Sequence, residues 1–90
     1  MATIDVSARG DHRYTVTVDE DGRATRYQVR VPDRLREELG DPDEERLVRE
    51  SFGFLLEREP ATAILREFDL DVISRYFPEY VSEIRTRLGT

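Results

Sequence analysis

Two alternating segments near the start of the chain constrain its fold more than any other feature. Within residues 13–18, and again within 26–31, every second residue is apolar and its neighbours are threonine, arginine or glutamine. This period of two is typical of a β-strand with one buried face. The acidic turn Asp19–Gly22 separates the segments and contains a glycine that can adopt a positive φ. We therefore predict a β-hairpin, whose second strand ends at Pro32 because proline lacks a ladder donor.

Residues 1–12 carry a weaker pattern. They are polar apart from the two apolar positions Ile4 and Val6 and the small residues around them. This composition is compatible with a flexible tail or with a short edge strand, and we favour the tail. The predicted organisation is a tail over residues 1–12 and a single domain over residues 13–90.

The remainder of the chain has the spacing of short helices. Aspartate, proline and glycine residues mark their ends, as is usual for helix caps. The predicted helices cover residues 33–39, 43–58, 61–67, 70–77 and 78–88. The predicted fold class is α+β, with an N-terminal β-hairpin followed by four or five short helices packed on one face.

Charge is distributed unevenly along the chain. The net charge is −6, and all 14 basic residues are arginine. Residues 1–32 carry five arginines and five acids, whereas residues 33–90 carry nine and fifteen. A negative surface repels polyanions, which disfavours nucleic acid as a partner and restricts any anion-binding face to the first third.

Cellular location is predicted from what the sequence lacks. Cysteine is absent, which excludes disulfides and thiolate chemistry. The first residues do not have the basic and apolar regions of a signal peptide, and no apolar run has the length of a membrane span. We expect a cytoplasmic protein with no membrane partner.

Catalytic and metal-binding patterns are also missing. No serine lies in a nucleophile elbow, and the only histidine, His12, falls in the predicted tail. The turn at residues 19–22 lacks calcium ligands at the required spacing, because positions 23 and 30 are both arginine. Isolated glycines form no phosphate-binding loop. We predict no catalytic residue, no cofactor, no metal and no small-molecule ligand.

The helix at residues 43–58 suggests a protein interface. Its apolar residues cover roughly 200° of the helical wheel, more than one packing face needs. Phe54 lies at the edge of this arc, so we predict that it is exposed and forms an interface with Leu47, extended by Tyr80 and Val81. The alternative is that the later helices bury Phe54 within the monomer. Tyr76 and Tyr80 are expected to present hydroxyls at the surface.

One stretch resembles a DNA-binding family. Residues 27–35 form a strand that ends at a proline, and residues 46–50 lie in a following helix, which together resemble a ribbon-helix-helix module. The resemblance implies that strand side chains Arg26, Gln28 and Arg30 enter the major groove. Strand alternation places Arg13 on the same exposed face, so Arg13, Arg26, Gln28 and Arg30 form the predicted nucleic-acid face. Whether residues 26–31 pair within the chain or across a two-fold axis is left open.

The second half of the chain, in segments 54–60, 64–70 and 75–80, is similar to a group of small uncharacterised bacterial proteins. This similarity implies a stand-alone domain and carries no catalytic residues. We therefore predict a non-enzymatic domain that acts through protein–protein contact with a partner or with itself as a homodimer. The alternative is a ribbon-helix-helix-like DNA-binding regulator or antitoxin, and a carboxylate-based hydrolase is a distant third.

Overall fold

A computed structural model describes residues 2–89 and shows an α+β fold, which confirms the predicted class. Four strands form one sheet in the order β1-β2-β3-β4. The strands are β1 (Ala2–Gly10), β2 (Arg13–Glu20), β3 (Arg23–Arg30) and β4 (Glu67–Asp69). The helices are α1 (Asp33–Glu38), α2 (Glu44–Arg58), α3 (Ile73–Tyr76) and α4 (Tyr80–Leu88), with 3-10 turns at Ala61–Ala63 and Leu70–Val72.

The predicted hairpin is present as β2 and β3, which pair antiparallel. Val16 lies opposite Tyr27, and both are buried beneath the helices. Asp21 and Gly22 connect the strands with φ of 54° and 78°. Two consecutive positive φ values are characteristic of the two-residue hairpin turn whose twist matches that of the strands.

The prediction of a flexible tail was wrong for residues 2–10, which form the edge strand β1. Ile4 pairs with Val18 and Val6 with Val16, so the few apolar side chains of β1 face the core. Two strongly apolar positions in nine residues give little local signal. The backbone of β2 nevertheless provides hydrogen-bonding partners for β1 along its outer edge. Helix α2 also packs against β1.

Helix α2 begins and ends within a residue of its predicted bounds. Glu44 and Glu45 lie in its first turn, where negative charge offsets the helix dipole. Asp43 occupies the N-cap position with extended backbone, but its side chain makes no capping hydrogen bond. Gly40 ends the preceding turn with a φ of 76°, as expected for a glycine after a helix.

The helix predicted at residues 61–67 is absent, and this prediction was wrong. A 3-10 turn is followed by an extended segment that enters β4, parallel to β3. The amide of Gln28 donates to the carbonyl of Arg66 at 2.8 Å, and Phe68 lies beside Val29 in the sheet. Pairing with the free side of β3 satisfies backbone groups that a short helix would satisfy locally.

The last two predicted helices are present in shorter form. Residues 70–77 divide into a 3-10 turn and α3, while α4 ends at Gly89, whose φ of 78° makes it a left-handed cap. α2 packs against β1 and α4 packs against α2, and buried residues of the strands and of these helices form one hydrophobic core. No helix within residues 2–89 combines the length and apolar character needed to cross a bilayer.

Candidate functional site

The residues predicted to form a protein interface lie inside the core. Leu47, Phe54 and Tyr80 are each 0% exposed, and Val81 is partly buried. The ring of Phe54 meets those of Phe77 and Tyr80 edge-on, with centroids 5.8 and 5.4 Å away. Exposure of Phe54 was therefore a wrong prediction, and the alternative in which the later helices bury it describes the structure.

Two arginines complete the cover over Phe54. The Arg58 guanidinium lies 3.6 Å from the centre of the Phe54 ring, and that of Arg87 lies at 5.8 Å. Each arginine is held in place by a carboxylate, Arg58 by Glu79 at 3.3 Å and Arg87 by Glu57 at 2.6 Å. The hydrogen bond from Arg87 keeps the pKa of Glu57 below its usual value. Cations over an aromatic face stabilise this closed arrangement.

A different surface carries the exposed apolar residues of the described chain. Leu65 is 52% exposed and Tyr76 is 68% exposed, and no other large apolar side chain within residues 2–89 is so open. Both flank a groove of about 160 Å³, which we call the apolar groove. Its lining consists of Leu55, Glu59, Ala63, Ile64, Leu65, Phe68, Val72, Ile73, Tyr76 and Phe77.

The apolar groove exists because residues 64–69 are extended and not helical. After α2 and the 3-10 turn, the chain runs extended from Ile64 toward β4; Ile64 is buried in the core and Leu65 is exposed. The side chain of Phe68, in β4, packs beside Phe52, with ring centroids 6.0 Å apart. α3 closes the opposite wall with Ile73 and Tyr76. The predicted exposure of Tyr76 is confirmed, whereas the predicted exposure of the Tyr80 hydroxyl was wrong, because Tyr80 is buried.

One carboxylate on the wall of the groove has no partner. Glu59 makes no side-chain hydrogen bond or ion pair within residues 2–89, although its backbone amide donates to Leu55. The neighbouring acids Glu57, Asp69 and Glu79 are each paired with an arginine. The groove therefore combines an apolar floor with a single uncompensated negative charge.

The residues predicted for a nucleic-acid face do lie together on the outer face of the sheet. Arg13 is directly opposite Arg30, and Thr15 lies opposite Gln28. Arg26 follows on the same face, two residues before Gln28, because strand side chains alternate between faces. All four predicted residues are exposed.

This outer face also carries acidic groups. Arg30 forms a two-pronged contact with Asp69 of β4, at 2.8 and 3.2 Å, and lowers the pKa of that carboxyl group. Asp5 lies on this same face, where it pairs with Thr17 across the strands, and Asp19 lies nearby on β2. The face has mixed charge rather than the positive stripe that a phosphate backbone favours.

The pairing of residues 26–30 is now defined. β3 is hydrogen-bonded to β2 along the whole of one edge, and on its other edge Gln28–Arg30 pair with β4. In a ribbon-helix-helix module the corresponding strand pairs with a second subunit. In this structure, residues 26–30 pair with β2 of their own chain.

The only histidine takes part in a polar cluster that the sequence did not reveal. His12 lies in the β1–β2 turn, and its Nδ1 is 2.7 Å from Oε2 of Glu44 at the start of α2. The Tyr14 hydroxyl donates to Oε1 of Glu44 at 3.0 Å, and Arg36 lies 3.5 Å from Oε2. Burial, together with this carboxylate, raises the pKa of Tyr14 to about 12. His12 and Tyr14 are each about 30 residues from Glu44 in sequence, so no local spacing predicts these contacts.

The contacts of this cluster connect the β1–β2 turn to other segments of the chain. Glu44 accepts hydrogen bonds from two directions, and the His12 carbonyl also accepts the amide of Val31 at 2.9 Å. The β1–β2 turn is thereby fastened to α2 and to the end of the hairpin. Within the described residues, the side-chain partner of His12 is Glu44, and no serine is hydrogen-bonded to the imidazole.

Metal ligands do not converge in the part of the chain that is described. No group of three histidine or carboxylate side chains within residues 2–89 has the geometry to hold a metal ion. Comparisons with family models, curated protein sequences and solved structures find no match to this chain. The apolar groove is accordingly the site that its own geometry distinguishes best.

Proposed function

We propose that this chain is a non-catalytic protein-interaction domain that binds an apolar segment of a partner protein in the apolar groove. The observation that carries this proposal is the exposure of Leu65 and Tyr76 on either side of a concave apolar surface. Exposed apolar side chains that adjoin one another mark interaction surfaces on small domains. Tyrosine is favoured at such surfaces because its ring is apolar and its hydroxyl stays hydrated.

The size of the groove supports a protein partner over a small molecule. Its volume of about 160 Å³ is smaller than the roughly 300–1,000 Å³ of typical small-molecule pockets. It suits one or two large side chains that project from a peptide or helix. The unpaired carboxylate of Glu59 favours an arginine or lysine next to these apolar anchors, because complementary charge directs both orientation and partner choice.

Selection from a displayed library of random peptides tests the proposal. We expect selected peptides to share a large apolar residue followed closely by a basic one, and to bind the wild-type domain. Leu65→Glu and Tyr76→Ala are each expected to weaken binding about tenfold or more, as for central anchors of an interface. Affinity is measured by fluorescence anisotropy or calorimetry.

The matched control is Ser82→Glu, which adds the same charge at an exposed position of α4 outside the groove. It is expected to bind as the wild type does. Glu59→Gln should retain apolar anchoring but lose the preference for a basic residue. The proposal is overturned if no peptide is selected, or if Leu65→Glu and Ser82→Glu bind the peptides equally well.

Nucleic acid is the second candidate partner, favoured by the convergence of Arg13, Arg26, Gln28 and Arg30 on one open sheet face. If DNA binds there, the affinity should fall steeply as salt is raised, because neutralised phosphates release counterions. Arg13→Ala/Arg26→Ala is expected to abolish detectable binding. Anisotropy titrations of a labelled duplex at several salt concentrations measure both effects.

The control for this second candidate removes the same charge elsewhere. Arg34 and Arg75 are exposed and make no ion pair within the described residues. Arg34→Ala/Arg75→Ala should therefore leave DNA binding unchanged. Equal loss of affinity in both double variants would refute a specific sheet-face site, and absence of binding by the wild type at low salt would refute this candidate altogether.

A further inference from the structure

Strand β1 forms a long open edge of the sheet. It runs for nine residues and pairs with β2 on one side, while no strand within residues 2–89 pairs with its other side. The opposite edge of the sheet is β4, which is only three residues long. A long unpaired edge offers a row of backbone donors and acceptors to another strand.

Few of the usual protections against such pairing are present on β1. The strand contains neither proline nor lysine, and its only irregularity is a shift in register between Ala8 and Gly10, at its far end. Asp5 lies on the outer face, paired with Thr17, and Arg9, at the register shift, reaches the same face, where its Nε donates to Thr15. From α2, Arg49 donates to the carbonyl of Ile4, and this is one local contact along the nine residues.

We propose that β1 pairs antiparallel with β1 of a second copy, about a two-fold axis at Ser7, to join two sheets into one of eight strands. This inference is independent of the apolar groove. In this register each Ser7 faces the other, and Asp5 of each copy lies directly opposite Arg9 of its partner. Opposite charges in directly facing positions stabilise strand pairs, and like charges destabilise them.

Charge complementarity selects this register among its neighbours. An axis at Val6 would place Asp5 opposite Ser7 and Arg9 opposite Thr3, leaving both charges without a partner. An axis at Asp5 would place the two Asp5 carboxylates against each other. Within residues 2–89 the Asp5 carboxylate makes no hydrogen bond or ion pair, so it is available. Arg9 uses only its Nε, which donates to Thr15 at 2.8 Å.

The inner face of β1 also favours a second copy. Ala2, Ile4 and Val6 pack against the core but stay partly exposed at the edge of the sheet. Pairing places Val6 opposite Ala8 of the partner and covers part of this remaining apolar surface. Arg49 of α2 lies beside this edge, where it donates to the carbonyl of Ile4.

Charge exchange tests this register in solution. Sedimentation velocity of the wild type should show a monomer that converts to a dimer as concentration rises. Asp5→Arg alone and Arg9→Glu alone place like charges opposite each other, and each should weaken the dimer about tenfold or more. The double variant Asp5→Arg/Arg9→Glu should restore it. An equal mixture of the two single variants should also dimerise, because their charges then complement one another.

A cysteine placed on the axis gives an independent readout, since the chain has no cysteine of its own. Ser7→Cys should form a disulfide-linked dimer under mild oxidation, because facing residues in this register lie within bridging distance. Thr17→Cys, on the same face but on β2, is the control and should stay monomeric. Leu65→Glu should dimerise as the wild type does.

Three results overturn the inference. They are a wild type that is monomeric at every concentration, a mixture of single variants that associates no better than each alone, and equal cross-linking of Ser7→Cys and Thr17→Cys. The inference is also wrong if β1 binds an extended peptide from another protein and the domain does not self-associate.

Discussion

Replacing Phe54 by glutamate is expected to unfold the protein. Phe54 is fully buried between Phe77 and Tyr80, with Arg58 stacked over its ring. Loss of a buried phenylalanine costs about 3–5 kcal/mol, and a charged group in the same space adds a desolvation cost of several more. A domain of this size has a total stability of about 5–10 kcal/mol. Circular dichroism and proton NMR spectra should therefore show loss of structure.

The matched control is Leu65→Glu, which introduces the same charge at a half-exposed apolar position. This variant should fold, with a change in unfolding free energy of less than about 1 kcal/mol. Phe54→Leu should fold with reduced stability because it retains apolar volume. A folded, monomeric Phe54→Glu variant would show instead that Phe54 lies at an interface, as its place on the helical wheel had suggested.

The second large effect is expected at a buried pair of hydroxyl groups. The oxygens of Ser51 and Tyr80 lie 2.6 Å apart, and both residues are 0% exposed. Burial raises the pKa of the Tyr80 hydroxyl, which keeps it protonated. Tyr80→Phe removes one partner and leaves the Ser51 hydroxyl buried without a hydrogen bond. The expected loss is about 1–3 kcal/mol of unfolding free energy, measured by urea denaturation.

A double-mutant cycle isolates this hydrogen bond. Ser51→Ala should also destabilise, but the combination Ser51→Ala/Tyr80→Phe should cost less than the sum of the two single changes. Tyr76→Phe is the control, because that hydroxyl is exposed and makes no hydrogen bond within the described residues. It should leave stability unchanged within about 0.5 kcal/mol. Additive effects in the cycle would show that the two hydroxyls are not coupled.

The outer sheet face could be predicted from the sequence, whereas the apolar groove could not. Alternation in β2 and β3 is a local property, so it identifies Arg26 and Gln28 as outward residues whatever packs beneath them. The orientation of Leu65 depends on the pairing of β4 with β3, which joins segments about 40 residues apart. Hydrophobic periodicity within residues 61–67 carries no information about that partner, and it favours a helix that the structure lacks.

Burial of Phe54 is likewise a tertiary result. On an isolated helix, the arc of apolar residues shows only that a wide surface avoids water. Whether a second copy or the rest of the chain covers that surface depends on where α3 and α4 pack. Phe77 and Tyr80 approach Phe54 only because the short β4 returns the chain to the sheet before α3 begins. No pattern within residues 44–58 predicts that the chain returns to the sheet at β4.

Local sequence patterns were sufficient to predict the β2–β3 hairpin, the extent of α2 and the end of α4 at Gly89. Each depends on interactions between near neighbours: strand alternation, a two-residue turn with positive φ, charges in a first helical turn, and a glycine cap. Three features could not be predicted from local patterns: residues 2–10 form an edge strand, residues 67–69 extend the sheet, and His12 contacts Glu44. These features arise because buried or paired backbone groups take the partners that distant segments provide, and such partners leave no periodic trace in the local sequence.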